Sequence, residues 1–168
     1  MPTPPTSFGN CSSSMADRPL VRALSAVDLA AYKELRDEML ALHPEAFTSD
    51  APTEREVRLV AWQHERLVGA IACDHDDRVK VRHIGRVIGM MVRAEARGRG
   101  VGRLLLDACI QRARRVPELE LLTLTVTSSN ASAVALYESA GFRRYGRLVR
   151  ATRVGDTYHD KDLMVLAL

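Results

Sequence analysis

Apolar spacing in the first half of the chain predicts strands on either side of one helix. Three short apolar or alternating runs are typical of strands: residues 20–24, 57–62 and 67–73. Between the first two runs, apolar side chains recur every three or four residues, which predicts a helix from Ser25 or Asp28 to about Ala41. Residues 63–66 are polar and predict a four-residue hairpin loop between the second and third strands.

The second half of the chain predicts two more helices and four more strands. The strand-like runs are residues 83–93, 121–126, 144–153 and 157–168. The first of these runs is apolar at both odd- and even-numbered positions, so we expect both faces of this strand to be buried. Helices are predicted over residues 100–115 and 131–140, and Gly141 has the position of a helix cap. Gly155 and Asp156 predict the turn of a closing hairpin.

Composition and charge narrow the class of protein. The chain has 168 residues, of which 46% are hydrophobic, and no apolar run approaches the roughly 20 residues that span a membrane. We therefore expect no membrane partner. The three widely spaced cysteines form no disulfide framework, which leads us to expect a reduced, cytoplasmic compartment. The net charge of +3 is spread along the chain without an aromatic-rich basic patch, so a nucleic-acid partner is not expected. Cys11, Cys73 and Cys109 are too widely spaced for a zinc site, and no metal is predicted.

The N-terminal residues differ in character from the rest of the chain. Residues 1–17 are rich in proline, glycine and serine and lack an apolar period, which predicts a disordered extension. A single domain is predicted over residues 18–168. Met15 has the position of a more natural start, and our hypothesis is that the preceding residues are a start-site extension.

A glycine-rich segment lies between the buried strand and the helix that follows it. Residues 97–102 read Arg-Gly-Arg-Gly-Val-Gly. Glycines let the backbone approach a ligand closely, and the first turn of a helix leaves about four N–H groups unpaired. Arg97, Arg99 and Arg103 add positive charge, so the segment predicts a phosphate or pyrophosphate site. The phosphate loop of nucleotide hydrolases is excluded because no Lys-Ser or Lys-Thr follows, and the dinucleotide fingerprint fits poorly.

Two motifs together resemble those of a known superfamily. The pattern R-x-x-G-x-G at the start of a helix resembles motif A of the GCN5-related N-acetyltransferase (GNAT) superfamily. Residues 130–142, Asn-Ala-Ser-Ala-Val-Ala-Leu-Tyr-Glu-Ser-Ala-Gly-Phe, are similar to its second signature, N-x-x-A-x-x-L-Y-x-x-x-G-F. The resemblance implies an α/β (α+β) acyl-CoA N-acyltransferase fold. Such a fold has a mixed, mostly antiparallel sheet of six or seven strands with about four helices, here forming one N-acetyltransferase domain over residues 18–168.

The resemblance also implies a reaction and a set of site residues. It implies transfer of acetyl from acetyl-CoA to a primary amine, by direct attack in a ternary complex. The amine could belong to a protein N-terminus, a lysine or a small molecule. Tyr137 matches the residue that protonates the departing thiolate, and a phenol with a pKa near 10 keeps its proton at neutral pH. The implied cofactor-binding residues are Met90, Met91, Val92, Arg97, Gly98, Arg99, Gly100, Val101, Gly102, Arg103, Asn130 and Tyr137.

The acceptor side is less well defined by the resemblance. It implies that the first helix and the loop after it line the acceptor site, and the candidates are Leu42, His43, Pro44 and Phe47. Many relatives carry a Glu near the position of Arg86, and Arg cannot act as a base at neutral pH. The amine could instead lose its proton to His83, Tyr158, His159, Asp160 or a water chain.

The missing Glu keeps an alternative function open. The chain could be a non-catalytic regulatory module that binds acyl-CoA, because a complete phosphate site can coexist with an incomplete acceptor site. Members of the superfamily often form homodimers, and no feature of this sequence fixes the oligomeric state. The sequence also does not select among the candidate amine acceptors.

Overall fold

The computed structural model describes residues 18–47 and 57–168, which form one sheet with helices on both faces. The strands are β1 (Leu20–Ala23), β2 (Val57–Gln63), β3 (Arg66–His75), β4 (Ile84–Val92), β5 (Leu121–Thr127), β6 (Arg143–Val154) and β7 (Thr157–Ala167). The α-helices are α1 (Leu29–Leu42), α2 (Val101–Ala113) and α3 (Ala131–Ser139). The extension predicted for residues 1–17 lies outside the described residues.

The number of strands and the three helices predicted from apolar spacing are confirmed, and the predicted length of the first hairpin loop is wrong. The described ranges contain three α-helices and two additional single turns of 3₁₀-helix, at Ala26–Asp28 and Ala94–Ala96, where the resemblance implied about four helices. The loop between β2 and β3 has two residues instead of four, because Gln63 and Arg66 pair with each other as the last rung of the hairpin. Polar strand ends carry no apolar signal, so the sequence pattern ended β2 one residue too early and began β3 one residue too late.

Strand order explains why the sheet is mixed but mostly antiparallel. The order is β1-β2-β3-β4-β5-β7-β6, and the single parallel pair is β4 with β5. That pair has only three rungs, from Ile84 opposite Leu121 to Arg86 opposite Thr123. Beyond the last rung, β4 and β5 continue without pairing to each other. The second halves of the two strands therefore border a gap in the middle of the sheet.

The helices divide the core into two layers. On one face, Leu35 and Met39 of α1 are buried against β2, β3 and the side chain of Met91. On the other face, α2 buries Leu105 and Leu106 against the centre of the sheet, and α3 contributes Tyr137 to the same cluster. Each fully buried apolar side chain of this size contributes about 1.5–3 kcal/mol. No helix within the described residues is long and apolar enough to cross a membrane.

A buried arginine fixes α1 to the end of β4. Arg93 is 2% exposed, and its Nε donates to the carbonyl oxygen of Leu67 at 3.0 Å. Its two terminal nitrogens bind carboxylates of α1, with Nη2 3.0 Å from Glu34 Oε1 and Nη1 against Glu38. A buried charge needs such partners on all sides. The network holds α1 close to the strand end that precedes the glycine segment.

Candidate active site

The glycine segment forms an open cradle at the start of α2. Gly98 and Gly100 have φ angles of 73° and 79°, a left-handed conformation that favours glycine. Gly100 is the N-cap residue of α2, so the unpaired N–H groups of the first helical turn lie directly beyond it. A methyl group at either glycine would meet no atom within 4 Å. The predicted anion site is thus exposed, with room for a ligand above the backbone.

The third glycine of the motif has a different role. A methyl group at Gly102 would lie 3.3 Å from Leu136 Cδ2 and 3.4 Å from Met90 Cε. Gly102 is therefore the place where α2 approaches both α3 and the unpaired half of β4. Val101 is 1% exposed and packs into the core below the loop, which anchors the first turn of α2.

The three arginines of the segment have unequal freedom to bind an anion. Arg99 is exposed and has no hydrogen-bond or ionic partner among the described residues. Arg97 is occupied, since its Nε donates to the carbonyl oxygen of Val92 at 3.1 Å and its Nη2 lies 2.9 Å from His43 Nε2. Arg103 binds Asp107 at 2.8 Å within α2. Arg99 is consequently the arginine most available to an incoming phosphate.

The unpaired half of β4 begins at a bulge. Ala70 of β3 is opposite Met91 and Ala72 is opposite Ile88, so Gly89 and Met90 together face a single residue of β3. Gly89 has a φ of 60°, which a side chain rarely tolerates. The bulge interrupts the regular ladder on the β3 side, and β5 does not pair with this stretch on the other side. Backbone groups around Met90 therefore face the gap, where the family resemblance implies contacts with the cofactor.

Tyr137 has a buried ring and an unpaired hydroxyl. The residue is 6% exposed, and its ring packs edge-on against Phe142 with 5.9 Å between centroids. Its hydroxyl has no hydrogen bond to any described residue. Among these residues, the polar side-chain atom that is both fully buried and without a partner is Trp62 Nε1, so the phenol oxygen is not fully buried. The tip of Tyr137 therefore keeps contact with solvent. Burial of the ring, with a smaller effect of Cys109, raises the pKa of Tyr137 to about 12.

Asn130 is the N-cap residue of α3. Its Oδ1 accepts hydrogen bonds from the backbone N–H of Ala133 at 3.1 Å and from Ser132 Oγ at 3.0 Å. The side chain thus performs the structural role that its position at a helix start favours. Its Nδ2 group has no acceptor among the described residues, so the amide can also bind a ligand.

The candidates for a general base lie in different parts of the structure. His83 precedes β4, and its carbonyl oxygen accepts from Leu121 at 3.1 Å. It lies at the opposite end of the strand from Val92, about 25–30 Å away for a strand of this length. His83 is therefore not brought to the glycine segment. Arg86, near where the resemblance leads us to expect a Glu, binds Asp74 at 2.5 Å across the β3–β4 ladder.

The remaining candidates lie together in the β6–β7 hairpin. Tyr158 is stacked under Arg150, whose Cζ is 3.8 Å from the ring centroid, and Asp160 Oδ1 accepts from the backbone N–H of Arg150 at 2.8 Å. Both side chains thereby hold the irregular part of β6. His159 is half-buried opposite Thr152. Unlike those of Tyr158 and Asp160, the side chain of His159 has no partner among the described residues.

The loop after α1 covers part of the sheet, and it contacts residues of β5, β6 and β7 that the sequence analysis missed. Thr127 Oγ1 and Thr152 Oγ1 each donate to the carbonyl oxygen of Glu45 at 3.4 Å. Lys161 Nζ donates to the carbonyl oxygen of Ala46 at 3.5 Å and is buried beneath the loop. Nothing in the alternating pattern of β7 distinguishes this lysine from a solvated one. His43 was predicted as an acceptor-side residue, and its contact with Arg97 was not foreseen.

A strand pair that splays next to a glycine-lined helix start defines the class of fold used by acyl-CoA-dependent N-acyltransferases. The model of the acetyltransferase (GNAT) family matches residues 27–142, and the chain belongs to this family. A putative acetyltransferase of Salmonella typhimurium, whose structure contains acetyl-CoA, has the same fold at 21% identity and a TM-score of 0.77. The alignment covers 89% of this chain and 93% of that one.

Curated relatives share sequence over part of their length. A mycothiol acetyltransferase of Geodermatophilus obscurus is 29% identical over 135 residues, which is 72% of this chain and 43% of that protein. N-alpha-acetyltransferase 30 of Schizosaccharomyces pombe is 30% identical over 95 residues, 56% of this chain and 63% of the relative. The two names indicate very different acceptors, so membership of the family does not select one.

Proposed function

We propose that this protein transfers an acetyl group from acetyl-CoA to a primary amine. The observation that carries the proposal is that the glycine segment meets the unpaired half of β4 and helix α3 at one point, where Gly102 lies against Met90 and against Leu136, the residue before Tyr137. Family membership and the acetyltransferase names of the relatives support it. A cytoplasmic location stays a prediction from the sequence, and a homodimer stays one that only the family resemblance implies.

The residues present fit the phosphates of acetyl-CoA. The cradle at Gly98 and Gly100 is exposed and open above the backbone, and the helix start behind it favours negative charge. Arg99 has no competing partner among the described residues and would bind a phosphate oxygen. Asn130 Nδ2 and backbone groups of Met90, Met91 and Val92 would hold the extended arm of the molecule in the gap. Arg97 would then release the Val92 carbonyl oxygen that it now occupies.

The chemistry needs two proton transfers, and Tyr137 suits one of them. Acetyl-CoA supplies the thioester, and the amine nitrogen forms the new bond to carbon as the bond to sulfur breaks. The departing sulfur takes a proton, which the Tyr137 hydroxyl would supply because its raised pKa keeps it protonated throughout the neutral range. An alkyl ammonium with a pKa near 10 must first lose its own proton. His159 or a water chain would accept it, since Tyr158 and Asp160 serve the hairpin.

Release of the CoA thiol in the presence of an amine panel tests the proposal. The panel would contain amino acids, diamines and N-terminal peptides, each with and without enzyme, and mass spectrometry would confirm an added acetyl group on the amine. Turnover of any amine supports the acetyltransferase. Binding of acetyl-CoA without turnover of any class would favour the regulatory module, which the Arg86–Asp74 pair at the usual place of the Glu allows.

A further inference from the structure

Lys161 is a buried lysine whose ammonium group is poorly satisfied. The residue is 5% exposed, and its Nζ has one hydrogen bond, a long one of 3.5 Å to the carbonyl oxygen of Ala46. An ammonium carries three donors, so two of them have no acceptor within the described part of the chain. A buried charge is normally paired, because leaving it unpaired in a protein interior is costly. The geometry therefore indicates a missing anionic partner.

The position of Lys161 places that partner at the acceptor side of the gap. Lys161 is opposite Thr127, the last residue of β5, and β5 is one wall of the gap. Its side chain lies on the sheet face that α1 covers, because it reaches the loop that follows α1. The glycine cradle begins α2, which packs on the other face. A molecule that enters beside Lys161 would thus meet the gap from the side opposite to the phosphates of acetyl-CoA.

The nearby carboxylates do not supply the partner. Asp162 points to the other face of β7, where it binds Arg147 at 2.7 Å and Arg144 at 3.1 Å. Asp160 accepts from the backbone of Arg150. Glu45 lies close enough to stabilise the charged form of Lys161, but burial has the larger effect and lowers the lysine pKa. An anion that bound at Nζ would restore the charged form.

We propose that Lys161 is an acceptor-binding residue that recognises a carboxylate, so that the amine acceptor is a small amino acid with a free carboxylate. This inference rests on the proposed acetyltransferase function. A single ammonium matches a single negative charge, and the arginines that a doubly charged phosphate would need are bound to Asp162 on the other face. Glu45 is next to Ala46 in the same loop, with its carboxylate 3.8 Å from His43 Nδ1, and it suits the ammonium group of such a zwitterion.

Lys161 could alternatively serve only to hold the loop after α1, together with Thr127 and Thr152. The two roles differ in what they predict for the acceptor. A loop anchor would affect every acceptor alike, whereas a carboxylate subsite would affect only acceptors that carry the carboxylate. Matched pairs of α-amino acids and their C-terminal amides separate the two roles, because each pair shares the amine and side chain.

The experiment measures kcat/KM for such pairs with wild-type protein, Lys161→Met, Lys161→Arg and Lys80→Met. Lys80→Met is the control, since Lys80 is exposed in the loop before β4. Wild type should prefer the acid of the best pair by about 10- to 100-fold, the range of a charge-assisted hydrogen bond. Lys161→Met should lose that preference while its rate with the amide stays within about threefold of wild type. Lys80→Met should behave as wild type, and Lys161→Arg should recover part of the preference.

A binding arm keeps the test independent of turnover. Unfolding temperature is measured for wild type and Lys161→Met with saturating CoA, each with the same acid or amide added. The subsite is supported if the acid, but not the amide, stabilises wild type and if this stabilisation is lost in Lys161→Met. That result would stand even if no amine were acetylated, whereas the proposed function would then fail. The subsite would be overturned if Lys161→Met lowered kcat/KM equally for acid and amide, or if wild type preferred the amide. It would also be overturned if wild type acetylated diamines or peptides and Lys161→Met did not change that rate. If Lys161→Met does not fold, the wild-type acid-to-amide ratio decides.

Discussion

Replacement of Tyr137 by Phe tests the assignment of the acid directly. The change removes one oxygen from a ring that is 6% exposed and leaves the edge-on contact with Phe142 in place. Because the hydroxyl has no hydrogen bond within the described residues, the free energy of unfolding should change by less than about 0.5 kcal/mol at neutral pH. A hydroxyl that served the core through a hydrogen bond would cost about 1 kcal/mol or more. Loss of a general acid should instead lower kcat by about 10²- to 10⁴-fold.

The assay combines thiol release with urea unfolding of the same samples. Phe142→Leu is the control, because it disturbs the packing partner of Tyr137 and should lower stability while retaining most of the acetyl transfer. The raised pKa adds a second signature, since it favours the folded state below pH 10 and that stabilisation is lost as pH rises from about 10 toward 12. Tyr137→Phe should lack this alkaline loss. An unchanged kcat in Tyr137→Phe would refute the assignment, and a stability loss above about 1 kcal/mol would indicate a structural hydrogen bond instead.

Three further predictions concern charged groups of the fold. Arg147 holds the pKa of Asp162 below its usual range, so this stabilisation is present above about pH 4 and lost in acid, and urea midpoints of Asp162→Asn should decline less between pH 5 and pH 3. Arg93→Met should lower the free energy of unfolding by about 3 kcal/mol in urea titrations because it strips a buried ion network. The matched change Glu34→Gln should cost less than about 0.5 kcal/mol, since that carboxylate is 69% exposed. Burial lowers the pKa of Lys161, so wild type should gain stability as pH rises toward 10, and thermal scans of Lys161→Met should lack this gain.

The parts of the fold that the sequence could predict are those marked by residues close together in the chain. The glycine cradle was predicted because its signals are local: left-handed glycines, a helix start and a preceding buried strand all lie within a few residues. The seven strands followed from apolar alternation, and their mixed pairing followed from the family resemblance. The hairpin at His64 was predicted too long because strand ends paired through polar residues have no apolar signal. The three α-helices were each predicted from apolar spacing, whereas the figure of about four helices came from the family resemblance.

The site itself depends on contacts that the sequence pattern does not contain. His83 seemed a candidate base because it is close to the motif strand in sequence, but the gap opens only at the other end of that strand. Lys161 follows ordinary strand alternation, and its contact with the loop at Ala46 joins residues that are far apart in sequence. The contact of Arg97 with His43 joins residues from separate motifs. Such contacts arise from the order of strands in the sheet rather than from local spacing.

Thermal unfolding with and without acetyl-CoA tests the central claim that the segment from Arg97 to Gly102 binds the cofactor. A ligand at about 100 times its dissociation constant should stabilise the folded protein by about 2.7 kcal/mol. Gly100→Glu places a negative charge in the cradle, and Gly155→Glu is its matched control, because that glycine also has a positive φ, of 58°, and open space around it. Wild type and Gly155→Glu should show the shift, and a folded Gly100→Glu should not. No shift in wild type, or an equal shift in Gly100→Glu, would contradict the claim.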